Sequence, residues 1–358
     1  MYLTQLDIRQ VRNIHDEKLI PGQRCTYIYG DNASGKTSVL EAIYLLSVAR
    51  SFRTTHIKHV ISQNSKYLQV FARIQNENEQ AAVGLERSLQ KTRIRINGSD
   101  VKKVADLSSL LPVQVINPDV HKLLEQGPKY RRQFIDWGVF HVEHDFLLSW
   151  QHYYRVLKQR NAALRKKQNK QAITLWDDQL IQYAKIITLA REAYLLNFIP
   201  IFNKYVDKLM GLSVNIKYQR GWDSEISFTE TLSNTFEKDY LKGFTSFGPH
   251  RADLEIWHQG TQVQNSFSRG QQKLLVCAMR LAQISHLKKE KNQDSVLLVD
   301  DLAAELDTKH RQNLIELLVD TKAQLFLTAT EQNSFILPPE IESKMFHVEH
   351  GRLKEVVQ

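Results

Sequence analysis

A phosphate-binding loop near the beginning of this chain, with two partner motifs close to its end, constrains the fold more than any other feature. Gly30-Asp31-Asn32-Ala33-Ser34-Gly35-Lys36-Thr37 satisfies the G-x-x-x-x-G-K-[ST] pattern at every fixed position. The short run Thr26–Tyr29 before it has strand character, and Val39, Leu40, Ile43 and Leu46 after it recur at helical spacing. Strand, loop and helix therefore stand in the order that phosphate binding requires. Glycines let the backbone wrap a phosphate chain with its N–H groups turned inward, and the helix adds the positive end of its dipole. On this reading Lys36 reaches the β- and γ-phosphates of ATP and serves catalysis, and the Thr37 hydroxyl ligates Mg²⁺. Gly30, Asn32, Ala33, Ser34, Gly35 and Ser38 complete the cradle.

The downstream motifs supply what a lone loop lacks. Val296–Val299 is a run of apolar β-formers ending in Asp300 and Asp301, as expected of a buried parallel strand that delivers carboxylates to a sheet edge. Asp300 is the expected metal-site residue, and Asp301 is expected to position or deprotonate the attacking water. Ser268-Arg269-Gly270-Gln271 opens an amphipathic helix that carries Leu274, Leu275, Ala278, Leu281 and Ile284. A serine hydroxyl and backbone amides at a helix N-terminus make a second anion site, although Ser268 taken by itself reads as an N-cap. One chain already has its own phosphate loop. Ser268, Arg269, Gly270 and Gln271 are therefore expected to meet the γ-phosphate held by a second copy, so that ATP closes a homodimer. Ala304-Glu305-Leu306-Asp307 belongs to the same seam. Many ATPases of this kind carry Glu where Asp301 stands; the shorter side chain predicts slow hydrolysis, below ~10 s⁻¹.

Between the motifs the texture changes. Alternating strand-like segments fill residues 1–118, long helical patterns fill 119–244, and strand, loop, helix and strand return over 245–358. This predicts one α/β ATPase head built from both ends of the chain, with an all-helical insertion between them. No heptad pattern runs long enough for an extended coiled coil. Pro200 is expected to end or kink the helix that Trp176, Leu180, Tyr183 and Ile187 begin. The longest apolar stretches are about eight residues, short of the ~20 needed for a membrane helix. Neither the basic nor the apolar segment of a signal peptide opens the chain, and Cys25 and Cys277 read as core residues, so a cytoplasmic, nucleoid-associated protein is expected.

A net charge of +9 points to a polyanionic partner. Arg155, Lys158, Arg160, Arg165, Lys166, Lys167 and Lys170 follow one another with no acid between them. Uncompensated like charges repel, so this run is the expected DNA surface, with Arg53, Lys58, Arg131 and Arg132 as weaker candidates. The tetrapeptide His-Val-Glu-His occurs at His141–His144 and at His347–His350. It does not match the H-E-x-x-H zinc pattern and is read as coincidence.

Further segments carry a family resemblance over the full length. They are Ile8–Asn13, Gly30–Glu41, Gly127–Arg132 with Phe134–Gly138, Leu157–Leu164, Gly248–Leu254, and the stretch from Ser268 to Asp307. The chain resembles the RecF family of bacterial DNA replication and repair proteins, compact relatives of the structural-maintenance-of-chromosomes ATPases. The resemblance implies an ABC-type head, ATP-dependent dimerisation, binding to DNA at single-strand/duplex junctions, and cooperation with RecO and RecR in loading RecA. It also implies that Arg12 and Asn13 lie near the nucleotide, with Arg12 on a phosphate. Thr328 stands where transporter-type ATPases carry a switch histidine, which agrees with slow turnover and argues against a transporter subunit.

Overall fold

Strands buried on both faces read as unbroken apolar runs, and three such runs form the middle of the sheet that carries the candidate site. The computed structural model describes residues 1–76, 79–301, 306–334 and 336–356. The chain divides into two units, residues 1–120 with 277–358, and residues 121–276. The strands are β1 (Tyr2–Val11), β2 (Ile14–Leu19), β3 (Cys25–Tyr29), β4 (Tyr67–Gln75), β5 (Gln80–Ser88), β6 (Thr92–Ile96), β7 (Ser99–Val101), β8 (Val113–Ile116), β9 (Asn215–Gln219), β10 (Asp253–His258), β11 (Thr261–Gln262), β12 (Val296–Val299), β13 (Gln324–Ala329), β14 (Ser343–Glu349) and β15 (Arg352–Val356).

In the first unit one sheet is antiparallel, in the order β2-β1-β4-β5-β6-β7. The other runs β15-β14-β3-β13-β12-β8 and is parallel from β14 to β8, with β15 added antiparallel at the edge. This order seats β13 between β3 and β12. Register pairs Tyr29 with Ala329 and Val299 with Leu327. Gly30, Thr328 and Asp300 therefore leave neighbouring strands at one carboxyl edge, where open α/β sheets bind ligands. The helix Lys36–Val48 leaves the loop and touches β1, β4 and β5 of one sheet and β13 of the other. Covered by both, it is buried nearly all round rather than on the single face its sequence suggests. Its Leu40, Ile43 and Leu46 share a core with Ile8, Val70, Leu298 and Phe326.

The second unit is built on the helices Pro128–Val142, Phe146–Arg165 and Asp177–Met210. Gly138 allows two of them to meet: a Cβ there would lie 2.2 Å from the Tyr194 ring. Arg191, fully buried, donates to both carboxylate oxygens of Asp136 (2.8 and 3.1 Å) and to the Pro249 carbonyl (2.8 Å). It thereby ties together two segments that carried the family resemblance. His250 does similar work. Its Nε2 donates to the Thr245 carbonyl (3.1 Å), which leaves Nδ1 to accept from the Tyr153 hydroxyl (2.7 Å). Burial lowers its pKa to about 4, so the ring stays neutral.

The insertion is not all-helical, contrary to what the sequence suggests. It contains β9, which pairs with β10, and β10 with β11, in a three-stranded antiparallel sheet. Ile216 and Tyr218 alternate as a strand requires, but five residues are a weak signal beside a 34-residue helix. The same pairing draws residues 245–276 into this unit instead of the head. Pro200 removes one backbone donor yet does not end the helix, which continues to Met210 and stops at Gly211 with φ +62°. The two His-Val-Glu-His tetrapeptides fall on unrelated backbone, at a helix end and at the end of β14. No helix among the described residues is long and apolar enough to cross a membrane.

Candidate nucleotide site

The phosphate loop holds its shape through two glycines in conformations closed to other residues. Gly30 has φ +151° and Gly35 φ +124°, and a Cβ on Gly30 would lie 2.2 Å from the Val348 carbonyl oxygen. Asn13 braces the loop from β1's end. Its Nδ2 donates to the carbonyls of Ser34 (2.9 Å) and Ala33 (3.2 Å), while its Oδ1 accepts from the Ser38 hydroxyl (2.9 Å). Lys36 curls back over the loop and donates to the carbonyls of Gly30 (2.8 Å) and Asp31 (3.0 Å). No side chain caps the helix that begins there, so its first amides face the loop's hollow. The buried Ser34 hydroxyl has no hydrogen-bond partner among the described residues. Unpaired donors around a curled lysine fit a phosphate chain.

The metal half of the site forms across the three strands. Thr37 Oγ1 donates to the Asp300 carboxylate (2.9 and 3.0 Å), and so does Thr328 Oγ1 (2.9 Å). Thr328 in turn accepts from the Asp301 N–H (3.0 Å), with Asp301 held at φ +48°. Thr328, which the sequence marked chiefly as a missing histidine, thus holds the Asp300 carboxylate and the Asp301 backbone. Burial pushes the Asp300 carboxyl above its ordinary range, and the hydroxyls of Thr328 and Thr37 only partly offset this. An acid reluctant to ionise in isolation suits a site meant to meet a cation, and Thr37 with Asp300 would hold Mg²⁺. Metal and proton then compete for Asp300. Mg²⁺-dependent ATP binding should weaken as pH falls toward this raised pKa, and Asp300→Asn should remove the Mg²⁺-dependent part at every pH. Titration of a fluorescent ATP analogue with and without EDTA tests both.

Arg12 lines the site and is anchored by a buried acid. Its guanidinium forms a two-point ion pair with fully buried Glu41 (2.7 and 2.8 Å) and donates to the His59 carbonyl. Three of its five N–H groups are engaged, leaving two. It lines a cavity of about 1500 Å³ with Asn13, Lys36, Thr37, Asp301 and, from the weaker DNA candidates, Arg53 and Lys58. Glu41 stands one turn after Thr37 on the helix that leaves the loop, and is fully buried. Its burial and two-point pairing make it the anchor of Arg12.

The Ser268 motif lies in the second unit, at the start of the helix Arg269–Lys291. The Gln271 N–H donates to Ser268 Oγ (3.3 Å), and the Ser268 N–H donates to Gln271 Oε1 (2.9 Å). This is a reciprocal capping box, so the N-cap role is realised within one chain. The cap uses the hydroxyl as acceptor and leaves its proton to donate. Ser268, Arg269, Gly270 and Gln271 are all exposed. Of the segment expected beside them at a dimer seam, Ala304 and Glu305 lie outside the described residues. Asp307 caps the helix Thr308–Asp320 by accepting from the His310 N–H (2.9 Å).

The profile of the RecF/RecN/SMC N-terminal domain matches residues 2–354. The DNA replication and repair protein RecF of Shewanella sediminis (strain HAW-EB3) is 43% identical, and that of Shewanella piezotolerans (strain WP3 / JCM 13877) 42%, each over 99% of both chains. The chain belongs to the RecF family. A solved structure of the recombination mediator protein RecF-ATPrS in the RecFOR pathway superposes with a TM-score of 0.87 at 23% identity, covering 99% of this chain and 98% of that one. An Smc head bound to the C-winged helix domain of ScpA superposes with a TM-score of 0.58 at 16% identity, covering 99% and 98%. The family's ATPase head fold, with mixed sheets and no long coiled coil, is the fold described above.

Within this RecF-family chain the basic run separates into two kinds of residue. Arg160 is fully buried and is removed from the DNA candidates. Its Nε donates to Asp177 (2.7 Å), and its Nη1 donates to Asp239 (3.1 Å) and Thr245 (2.8 Å). Its position follows helical phase, on one stripe with Tyr153, Val156, Leu157, Ala163 and Leu164. Arg131 is likewise buried, paired with Asp253 (2.7 and 2.9 Å), and Arg132 donates to the Ala252 carbonyl (2.6 Å). Arg155, Lys158, Arg165, Lys166, Lys167 and Lys170 are exposed.

Proposed function

We propose that this protein is an ATP-dependent DNA-binding protein of recombinational gap repair and replication-fork maintenance. ATP seats in the loop, two copies close head to head on DNA at single-strand/duplex junctions, and with RecO and RecR the closed form supports RecA loading. Slow, DNA-dependent hydrolysis with Mg²⁺ resets the dimer in the cytoplasm. The observation that carries this reading is the cluster of Thr37, Asp300 and Thr328 at a cavity lined by Lys36 and Asp301. The names of the similar proteins supply the repair context.

Magnitudes support closure on ATP. Moving a protein from almost all open to almost all closed takes about 5.5 kcal/mol, and charge-assisted hydrogen bonds contribute about 1.5–3 kcal/mol each. Two composite sites, each with the free Ser268 proton and neighbouring amides on a γ-phosphate, bring contributions of that order to set against the cost of association. Anisotropy on gapped duplex, with and without ATP, tests the reading: binding should strengthen with ATP in wild type and not in Lys36→Met. With about five of the exposed cations on phosphates, log affinity should fall with log salt at a slope of about −4 to −5. Arg165→Glu with Lys166→Glu should flatten it by about 2. DNA binding indifferent to salt and ATP would overturn the proposal.

A further inference from the structure

The exposed cations that follow helix Phe146–Arg165 do not stand alone. A second segment, residues 236–251, folds against them and brings its own cations interleaved with rings. The Lys167 ammonium lies 4.6 Å from the centre of the Tyr240 ring and donates to the carbonyls of Tyr240 and Leu241. Lys170 lies 5.2 Å from the Phe236 ring, and Lys242 and Arg251 lie 5.9 and 5.3 Å from the Phe244 ring. Gly243 sits against Arg165: a Cβ there would lie 3.2 Å from Arg165 Cγ. Two stretches some seventy residues apart in sequence therefore form one surface, as the 73-residue separation of Lys167 from Tyr240 records.

Its exposed charge is predominantly positive. Of the two acids in 236–251, Asp239 is buried against Arg160, and Glu237 is the exposed one. At its rim Leu241 is 79% exposed and Phe244 37% exposed, although both are large and apolar. Cations over ring faces are worth about 0.5–1 kcal/mol at exposed sites, too little to be the reason for placing an apolar pair in a field of like charge. The combination of backbone-tracking cations with open rings is the chemistry that receives an unpaired nucleic-acid strand, whose phosphates meet the cations and whose bases stack on the rings. In duplex the bases are stacked on one another, and only the phosphates would find partners here.

We propose that the surface formed by Arg165, Lys167, Lys170, Lys242 and Phe244, with Leu241 at its edge, is a binding site for single-stranded DNA. It rests on the DNA-binding function proposed above and assigns the unpaired strand of a junction to these residues. The experiment is anisotropy with labelled oligothymidylate and with duplex of equal length, for wild type, Phe244→Ala and Phe244→Trp. One stacked base is worth about tenfold in affinity or more. Phe244→Ala should lose about that on oligothymidylate while duplex affinity stays within about twofold, and Phe244→Trp should keep wild-type affinity for both. Unchanged duplex binding also certifies that the variant is folded. Equal losses on both DNAs, or no loss on either while wild type binds well, would overturn this assignment and leave the DNA-binding function standing. Wild type that binds neither DNA would overturn both.

Discussion

Replacing Arg160 with methionine is expected to lower stability by about 3–5 kcal/mol, the cost of stripping one partner from buried charges. The guanidinium is the shared partner of Asp177 and Asp239 and also satisfies the Thr245 hydroxyl. Urea unfolding measures the loss. Its pH dependence has a definite sign. Burial already holds the Asp177 carboxyl above its usual range, with Arg160 opposing that effect. A carboxyl whose folded pKa exceeds its unfolded value binds its proton more tightly in the native state, so ionisation costs stability as pH rises. Removing Arg160 raises that pKa further; the variant's deficit should therefore shrink as pH falls and the Asp177 carboxyl is protonated. Lys158→Met, two residues away in sequence but exposed, should stay within about 0.5 kcal/mol of wild type. A small and pH-independent loss in Arg160→Met would return Arg160 to the surface and to the DNA candidates.

Lys36→Met should weaken ATP binding by about 100-fold or more. The ammonium now held by the Gly30 and Asp31 carbonyls is the loop's one flexible cation, and transfer to phosphate oxygens replaces neutral acceptors with charged ones. Two such bonds at about 1.5–3 kcal/mol each set the size of the effect. The change leaves the helix intact, since methionine has a helix propensity close to that of lysine. Titration of a fluorescent ATP analogue reads the loss, and an affinity within a few-fold of wild type would place the nucleotide elsewhere.

The sequence made the nucleotide half of this protein legible for a physical reason. A phosphate loop and a carboxylate-bearing strand are local patterns, in which spacing along the chain fixes position in space. Gly30, Lys36, Thr37 and Asp300 stand together because β3 and β12 are short, buried and parallel on either side of β13. What escaped was set by partners remote in sequence. Arg160 reads as one cation in a run of seven until Asp177 and Asp239 close over it, and its helical phase with Tyr153 and Leu164 was the available signal. Arg12 is anchored by buried Glu41, which takes two of its donors from 29 residues away in sequence. The strand β9 was hidden because its pairing with β10 joins segments on either side of the helices Phe228–Asn234 and Phe236–Lys242. Ser268 shows the remaining gap: a capping box and an anion site use the same residue, and one chain by itself displays the cap.

Sedimentation velocity of the wild type and Ser268→Arg, each saturated with ATP and paired with an ATP-binding titration, tests the exchange of phosphate contacts between copies most directly. On the proposed reading the loop that seats ATP belongs to one copy and Ser268 to the other, so the variant should bind ATP as tightly as wild type yet sediment as a single copy, while wild type sediments as a dimer. Dimers of Ser268→Arg at the same ATP concentration, or single copies of ATP-saturated wild type, would contradict the account.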